Sequence, residues 1–270
     1  MKHIKVFETT YDFEDWKEEN LKTFPYACFC MDSGITYYQD YVNMNPGEYD
    51  YVDLDLPSGT LWSTVNLGAS DPEDYGDYNA WGENGTKNNF TVGTYYWGNG
   101  EDEGLYEKYN YSDGKTRLDR CDDPVYGAWS WDNATDWHIP TADQWEELLD
   151  ERYTTREITT INNVSGMKIS SISDSSAYIF LPFAGTMVGQ TLTGAGTSAA
   201  YLSMDIYDVT EKSMSSGGNY CYAFIMDNSD PSYPEAYLYR FLRYHGGSIR
   251  PVVGNKSFKY VPETPPEVIK

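Results

Sequence analysis

One helix signal stands out between Tyr51 and Val253, and it constrains the fold more than any other local pattern. Thr141 followed by Gln144 fits a capping box. Trp145 and Leu148 then repeat at helical spacing and predict one apolar face. Short β-like runs occur elsewhere, at 166–170, 178–182, 199–203 and 221–226. The pattern predicts an α+β fold with few helices, short antiparallel strands and long loops.

The first 48 residues have a different character and predict a small β-α-β-β module. A strand is predicted at residues 3–8, a short helix at about 11–22, and a hairpin from 26–31 and 35–38. The predicted organisation is an N-terminal attachment module at 1–48, a main domain at 49–254, and a Pro-rich acidic tail at 255–270.

The charge balance excludes several partners. The chain carries a net charge of −23, which repels nucleic acids and anionic membrane surfaces. No apolar run of membrane-spanning length is present, so membrane insertion is not expected. The first ten residues lack an apolar signal segment, so we expect a protein made in the cytoplasm without a signal peptide. Tyrosine outnumbers phenylalanine 26 to 10, which suits aromatic side chains that lie half in water.

Catalytic and cofactor motifs are absent from the sequence. The four cysteines form no CxxC pair and are expected to be reduced thiols. The three histidines are far apart, and no nucleophile elbow, phosphate loop or zinc motif occurs. We therefore predict no enzyme activity, no catalytic residue, no metal and no cofactor. A structural calcium ion stays open as an alternative, because Asp119, Asp122 and Asp123 cluster around Cys121.

The run from Ala236 to Gly254 predicts a contact surface joined to a structural ending. Its first half crowds tyrosine, leucine and arginine without strand or helix periodicity, and these residue types are typical of binding faces. A buried hairpin is the alternative. Its second half ends in Ile249-Arg-Pro-Val, where we expect Arg250 to tie the last strand to the scaffold.

From Tyr51 onward, motifs spread along the chain resemble a known family. They are Asp55-Leu-Pro-Ser-Gly-Thr-Leu-Trp62, Asn66-Leu-Gly-Ala-Ser70, Ala80-Trp-Gly-Glu83, Trp137-His-Ile-Pro-Thr141, Ile179-Phe-Leu-Pro-Phe-Ala-Gly185 and Gly247-Ser-Ile-Arg-Pro-Val252. Their order and spacing resemble the Fibrobacter succinogenes major paralogous domain family, found in gut Bacteroidetes and their phages. The resemblance implies a C-type lectin-like domain similar to the formylglycine-generating enzymes, a scaffold shared by variable proteins of diversity-generating retroelements.

The resemblance further implies a non-enzymatic binding protein, on a phage virion surface or in host adhesion, with a C-terminal face that can be diversified. The expected partners are a protein or glycan of a bacterial host cell, other virion subunits contacted through the N-terminal module, and further copies of the chain. Two alternatives stay open: a structural virion decoration or fibre subunit, and a sulfatase modifier of the formylglycine-generating type. The expected ligand contacts are Tyr201, Ser203, Asp205, Tyr207, Tyr237, Leu238, Tyr239, Arg240, Phe241, Leu242, Tyr244 and His245.

Overall fold

The computed structural model describes most of the chain from residue 50 onward and three short strands before it. The described residues are 3–7, 26–30, 35–39, 50–98, 100, 106–110, 112–129, 136–207, 218–230 and 235–262. Strands make up 39% of the structure and helices 10%.

Two α-helices and fifteen β-strands occur in these described ranges. The helices are α1 (Pro124–Trp129) and α2 (Ala142–Leu149), and two 3-10 turns lie at Val92–Thr94 and Arg120–Asp122. The strands are β1 (His3–Phe7), β2 (Tyr26–Cys30), β3 (Ile35–Gln39), β4 (Tyr51–Asp53), β5 (Leu61–Ser63), β6 (Trp137–His138), β7 (Thr154–Ile161), β8 (Val164–Ser171), β9 (Tyr178–Pro182), β10 (Thr186–Val188), β11 (Thr191–Thr193), β12 (Ser198–Ile206), β13 (Tyr220–Asp227), β14 (Glu235–Leu242) and β15 (Val252–Val253).

The N-terminal strands form a sheet of their own in the order β1-β2-β3. β1 pairs parallel with β2, and β2 pairs antiparallel with β3. The three predicted strands are therefore confirmed. The helix predicted at about 11–22 lies outside the described residues.

A four-stranded sheet, β4-β5-β15-β6, joins distant parts of the chain. Val252 of β15 lies opposite Trp62 on one side and His138 on the other. Arg250, just before this strand, is fully buried and donates hydrogen bonds to the carbonyl oxygens of Ser63 and Phe180, at 3.0 and 2.7 Å. The predicted structural role of Arg250 is confirmed.

Helix α2 begins at the predicted capping box. The Thr141 hydroxyl accepts a hydrogen bond from the Gln144 backbone N–H at 3.1 Å, and the Gln144 side chain accepts one from the Thr141 N–H at 2.8 Å. The Trp145 and Leu148 side chains are fully buried on the inner face, as the periodicity predicts. Trp145 stacks on Phe224 of β13, with ring centroids 5.0 Å apart.

The sheet β12-β13-β14 separates two hydrophobic clusters and carries the candidate site. One cluster includes Leu202 and Cys221, and the other includes Tyr201 and Phe224. β12 is buried along almost its whole length because both of its faces contact core. β14 is an edge strand with alternating exposed and partly buried residues. The sheet β7-β8-β9 and the hairpin β10-β11 complete the strand pairing.

The predicted α+β, C-type lectin-like fold is wrong. The described chain is mostly β-sheet, with several antiparallel sheets and two α-helices, and no C-type lectin fold is identified in it. The prediction failed because segments interpreted as loop pair as long antiparallel strands. Every residue of β7 lies opposite one of β8, and every residue of β14 lies opposite one of β13.

Candidate functional site

The most distinctive surface feature is a cluster of tyrosine rings on β13, on β14 and at the end of β12. The Tyr207 ring lies 4.9 Å from the Tyr222 ring and 5.9 Å from the Tyr239 ring, measured between centroids. Tyr237 extends the chain of contacts, with its ring 6.0 Å from that of Tyr239. The rings meet edge to face or tilted, the geometry that aromatic pairs favour. We call these residues, with Tyr220 and Arg240, the tyrosine face.

The strand register explains why Tyr237 and Tyr239 point outward. Tyr237 lies opposite Ile225 and Tyr239 opposite Ala223, so both tyrosines project from the same face of the sheet. Their exposed fractions are 39% and 44%. Leu238, between them, projects to the other face and packs against the core cluster that contains Phe224.

Arg240 adds a cationic group to the aromatic cluster. Its guanidinium carbon lies 5.0 Å from the ring centroid of Tyr220 and 5.6 Å from that of Tyr239. Both distances fall within the range of cation–π attraction. The exposed Arg240 side chain therefore supplies fixed hydrogen-bond donors beside apolar rings, the combination that protein binding sites use most.

An open cleft of about 490 Å³ adjoins the tyrosine face at Tyr222. Arg117 and Asp205 line one side, joined by a 2.6 Å ion pair between Nε and Oδ1. Asp143 and Lys259 line another, joined by a 2.8 Å ion pair between Oδ2 and Nζ. The volume lies in the range of small-ligand sites, and the polar walls suit a hydrogen-bonding ligand.

Glu146 gives the cleft a carboxylate without an ion pair among the described residues. Burial raises the pKa of Glu146 above its ordinary value, and the negative charge of Asp143 raises it further. The side chain is still exposed to solvent. A ligand that donates a hydrogen bond or carries positive charge would lower this pKa on binding.

Four of the residues predicted to contact a ligand are buried, so that prediction is wrong for them. Tyr201 and Ser203 are fully buried on β12, because that strand has core on both faces. The Tyr201 hydroxyl donates to the Pro182 carbonyl oxygen at 2.9 Å. Asp205 is 9% exposed and accepts hydrogen bonds from Arg117 and the Ala142 backbone N–H. Tyr244 is 8% exposed, and its ring packs in the core.

Four more predicted contacts are only partly accessible and lie outside the tyrosine face. Leu238 packs against the core on one side of the sheet, and Phe241 and Leu242 pack against the core on the other. His245 lies between the rings of Phe241 and Tyr244, at centroid distances of 5.9 and 4.8 Å. Leu238, Phe241 and Leu242, which were expected to contact a ligand, therefore give part of their side-chain surface to the core.

The structure therefore brings together Tyr207, Tyr237, Tyr239 and Arg240 from the predicted set, and it adds Tyr220 and Tyr222. The sequence holds one signal for these two additional residues. They flank Cys221 at the start of a predicted strand, where alternate side chains share a face. Their position beside Tyr207 and Arg240 depends on the pairing of the strands, which the local sequence does not reveal.

The acidic group predicted as a possible calcium site already contains a cation. Asp119, Cys121 and Asp122 place one potential ligand atom each within 4.8 Å of one another. The Lys108 ammonium nitrogen lies 2.7 Å from Asp119 Oδ2 and 2.6 Å from Asp122 Oδ2. Burial raises the pKa of the Cys121 thiol to about 12, so it stays protonated. Lys115 also pairs with Asp119, so two ammonium groups face the two carboxylates.

Comparisons with known proteins return no relative. No protein-family model, no curated protein and no solved structure matches this chain. No helix in the described ranges is long and apolar enough to cross a membrane.

Proposed function

We propose that the chain is a non-enzymatic binding protein whose contact surface is the tyrosine face. The observation that carries the proposal is the continuous set of ring contacts from Tyr222 through Tyr207 and Tyr239 to Tyr237, with Arg240 beside it. Exposed large aromatic rings that touch one another, rather than scattered singly, are a feature of interaction sites.

The energetic argument favours recognition by preorganised rings. A tyrosine has few rotatable bonds, so fixing it against a ligand costs little entropy. The neighbouring rings of Tyr207, Tyr237 and Tyr239 restrain one another further before any ligand arrives. Removal of apolar ring surface from water then stabilises the complex, while Tyr hydroxyls and Arg240 set the orientation.

The chemistry of the described thiols supports binding rather than catalysis. Cys221 is fully buried, and burial raises the pKa of its thiol to about 12. An oxidase of the formylglycine-generating type needs a reactive thiolate near its substrate. Neither Cys221 nor Cys121 provides one, so we propose that the chain is not such an enzyme.

We further propose that the ligand is a protein or glycan on a bacterial host cell and that the chain acts at a virion surface. The support is the sequence resemblance from Tyr51 onward together with the tyrosine face. The cleft beside Tyr222 offers carboxylates and a guanidinium to polar groups of the same ligand.

Adsorption of the purified protein to gut Bacteroidetes cells tests the proposal. The variant Tyr237→Ala/Tyr239→Ala/Arg240→Ala should lose at least tenfold in cell binding. The matched control is Tyr51→Ala/Tyr178→Ala, which removes tyrosines of 58% and 41% exposure outside the tyrosine face. Unchanged adsorption of the triple variant, with the fold intact by circular dichroism, would refute the site.

A further inference from the structure

The outer edge of β14 has backbone groups that no other strand in the described part of the chain pairs with. β14 is eight residues long, and it pairs only with β13 in the sheet β12-β13-β14. Among the described residues, no backbone hydrogen bond from another segment reaches its outer edge. The strand contains neither proline nor lysine, the residues that proteins commonly use to block such edges.

The hydrogen-bond pattern identifies which groups are free. Arg243, which follows β14, donates its backbone N–H to the Asn219 carbonyl oxygen at 3.1 Å. Hydrogen-bonded pairs alternate along an antiparallel ladder, so the odd-numbered residues of β14 bond to β13. On β13 the carbonyl oxygen of the even-numbered Tyr220 accepts a hydrogen bond from the N–H of Tyr207, the residue after β12, at 2.9 Å, as this alternation requires. Ala236, Leu238, Arg240 and Leu242 therefore direct their backbone N–H and C=O groups outward, and only the Leu242 carbonyl oxygen accepts a hydrogen bond from the described chain, from the His245 N–H at 3.0 Å.

We infer that this edge pairs with β14 of a second copy of the chain, in an antiparallel two-fold arrangement centred on Leu238. In that register Leu238 lies opposite Leu238 of the other copy, and Ala236 lies opposite Arg240. Ala236, Leu238 and Arg240 are then all paired, through about six backbone hydrogen bonds. A shift of the register by two residues in one direction places Arg240 opposite a residue outside β14. A shift in the other direction pairs Ala236 with Leu242, whose carbonyl oxygen already accepts a hydrogen bond from the His245 N–H at 3.0 Å.

The same register is favourable for the side chains. Tyr237 lies opposite Tyr239 of the other copy in a non-hydrogen-bonded pair, where facing side chains are closest. Aromatic cross-strand pairs of this kind stabilise antiparallel sheets. Because the two-fold axis is perpendicular to the sheet, Tyr237 and Tyr239 of both copies end on the same side. The dimer would present these four rings together on one side of a six-stranded sheet.

This inference rests on the proposed function only for the use of that combined surface in binding. The pairing itself depends only on the backbone groups at the edge of β14. The net charge of −23 on each copy opposes association, so we expect a dimer that forms at micromolar concentration and weakens at low salt.

Two variants at one position separate the backbone from the side chain. Arg240→Ala removes the guanidinium but keeps the outward N–H, whereas Arg240→Pro removes both, and edge strands tolerate proline at such outward positions. In sedimentation velocity from low micromolar to millimolar concentration, the wild type and Arg240→Ala should double in mass, and Arg240→Pro should stay monomeric. A wild type that is monomeric throughout, or a folded Arg240→Pro that still dimerises, would overturn the inference.

Hydrogen exchange resolved by amide gives a second readout that needs no variant. The amides of Ala236, Leu238 and Arg240 should become at least tenfold more protected as concentration rises, while that of Glu235 should not change. Equal protection at all concentrations would contradict the pairing. Unchanged cell adsorption of the triple variant while the wild type dimerises would refute the proposed function alone. Lost adsorption of the triple variant while the wild type stays monomeric would refute the pairing alone.

Discussion

Arg243 and Trp81 are joined twice. The Trp81 backbone N–H donates to the Arg243 carbonyl oxygen at 2.8 Å, and the Arg243 guanidinium carbon lies 4.8 Å from the Trp81 ring centroid. Arg243 is fully buried, and its guanidinium also donates to the carbonyl oxygens of Tyr109 and Gly218 at 2.9 and 2.8 Å. Aromatic rings and carbonyl oxygens thus surround a buried cation.

Substitution Arg243→Met should destabilise the fold by about 3 kcal/mol or more, because several buried acceptors lose their donor. Urea denaturation measures the change in the free energy of unfolding. The exposed Arg240→Ala is the control and should change it by about 0.5 kcal/mol or less. Equal losses of unfolding free energy in the two variants would contradict the burial of Arg243.

Removal of the hydroxyl should lower stability at Tyr201 and leave it almost unchanged at Tyr239. Tyr201→Phe leaves the buried Pro182 carbonyl oxygen without its donor, so we expect a loss of about 1–2 kcal/mol in the free energy of unfolding. Tyr239→Phe changes an exposed hydroxyl and should have almost no effect on stability. If cell adsorption fell with Tyr201→Phe while stability held, Tyr201 would be a ligand contact after all.

The cap of α2 should contribute measurably to stability. Thr141→Ala removes the acceptor for the Gln144 N–H, and we expect a loss of about 1 kcal/mol in thermal or urea unfolding. Thr141→Ser keeps the hydroxyl and serves as the control, with a smaller loss. A Ser variant as unstable as the Ala variant would mean that the Thr141 methyl packing, not the cap, matters.

His138 should make the fold sensitive to acid. Burial, together with the positive charge of Lys256, lowers the pKa of His138 from 6.5 to about 4. The unfolded chain binds this proton first, so the stability that the neutral ring supplies is present above pH 6.5. It is lost progressively as the pH falls toward 4, by on the order of 3 kcal/mol.

Comparison with His138→Asn isolates this effect. Asp123, whose pKa burial raises to about 6, acts in the opposite direction, losing stability as the pH rises. That contribution is common to both proteins and cancels in the difference. Urea titration at pH values from 8 to 4 measures the free energy of unfolding of both proteins. The value for the wild type minus that for the variant should decrease as the pH is lowered. A flat difference would contradict the buried neutral histidine.

Cys221 should resist alkylation in the native protein. The thiol is buried with its pKa raised to about 12, so little thiolate exists at pH 8 and the reagent lacks access. Iodoacetamide labelling, read by peptide mass spectrometry, should reach Cys221 only at the rate of unfolding. Fast labelling of folded protein would restore the sulfatase-modifier alternative.

Local patterns predicted the local elements well and the site only in part. The capping box located α2, and apolar runs located β8, β9, β12 and β13 because these signals depend on near neighbours. The tyrosine-rich segment was not recognised as β14, because tyrosine and arginine serve equally as half-buried strand residues and as contact residues.

Long-range pairing decides what the local pattern leaves open. Tyr201 lies on β12 and Tyr207 directly follows that strand, and their side chains have the same chemistry, yet Tyr201 is buried and Tyr207 belongs to the tyrosine face. Likewise nothing near Arg243 marks it as buried while Arg240 is exposed. These residues are buried or exposed according to the sheets and loops that pack over them. The residue spacing within the segment carries no information about that packing.

The double pairing of β15 has a consequence for the order of folding. Its two residues complete a sheet whose other strands precede them by more than a hundred residues, since Val252 lies opposite Trp62 and His138. During synthesis β5 and β6 therefore leave the ribosome long before the strand that joins them. Closure of such long loops is slow, so the final step of folding waits until the chain has been translated past Val253. Until then the partly made chain leaves the β15-facing edges of β5 and β6 without their partner strand.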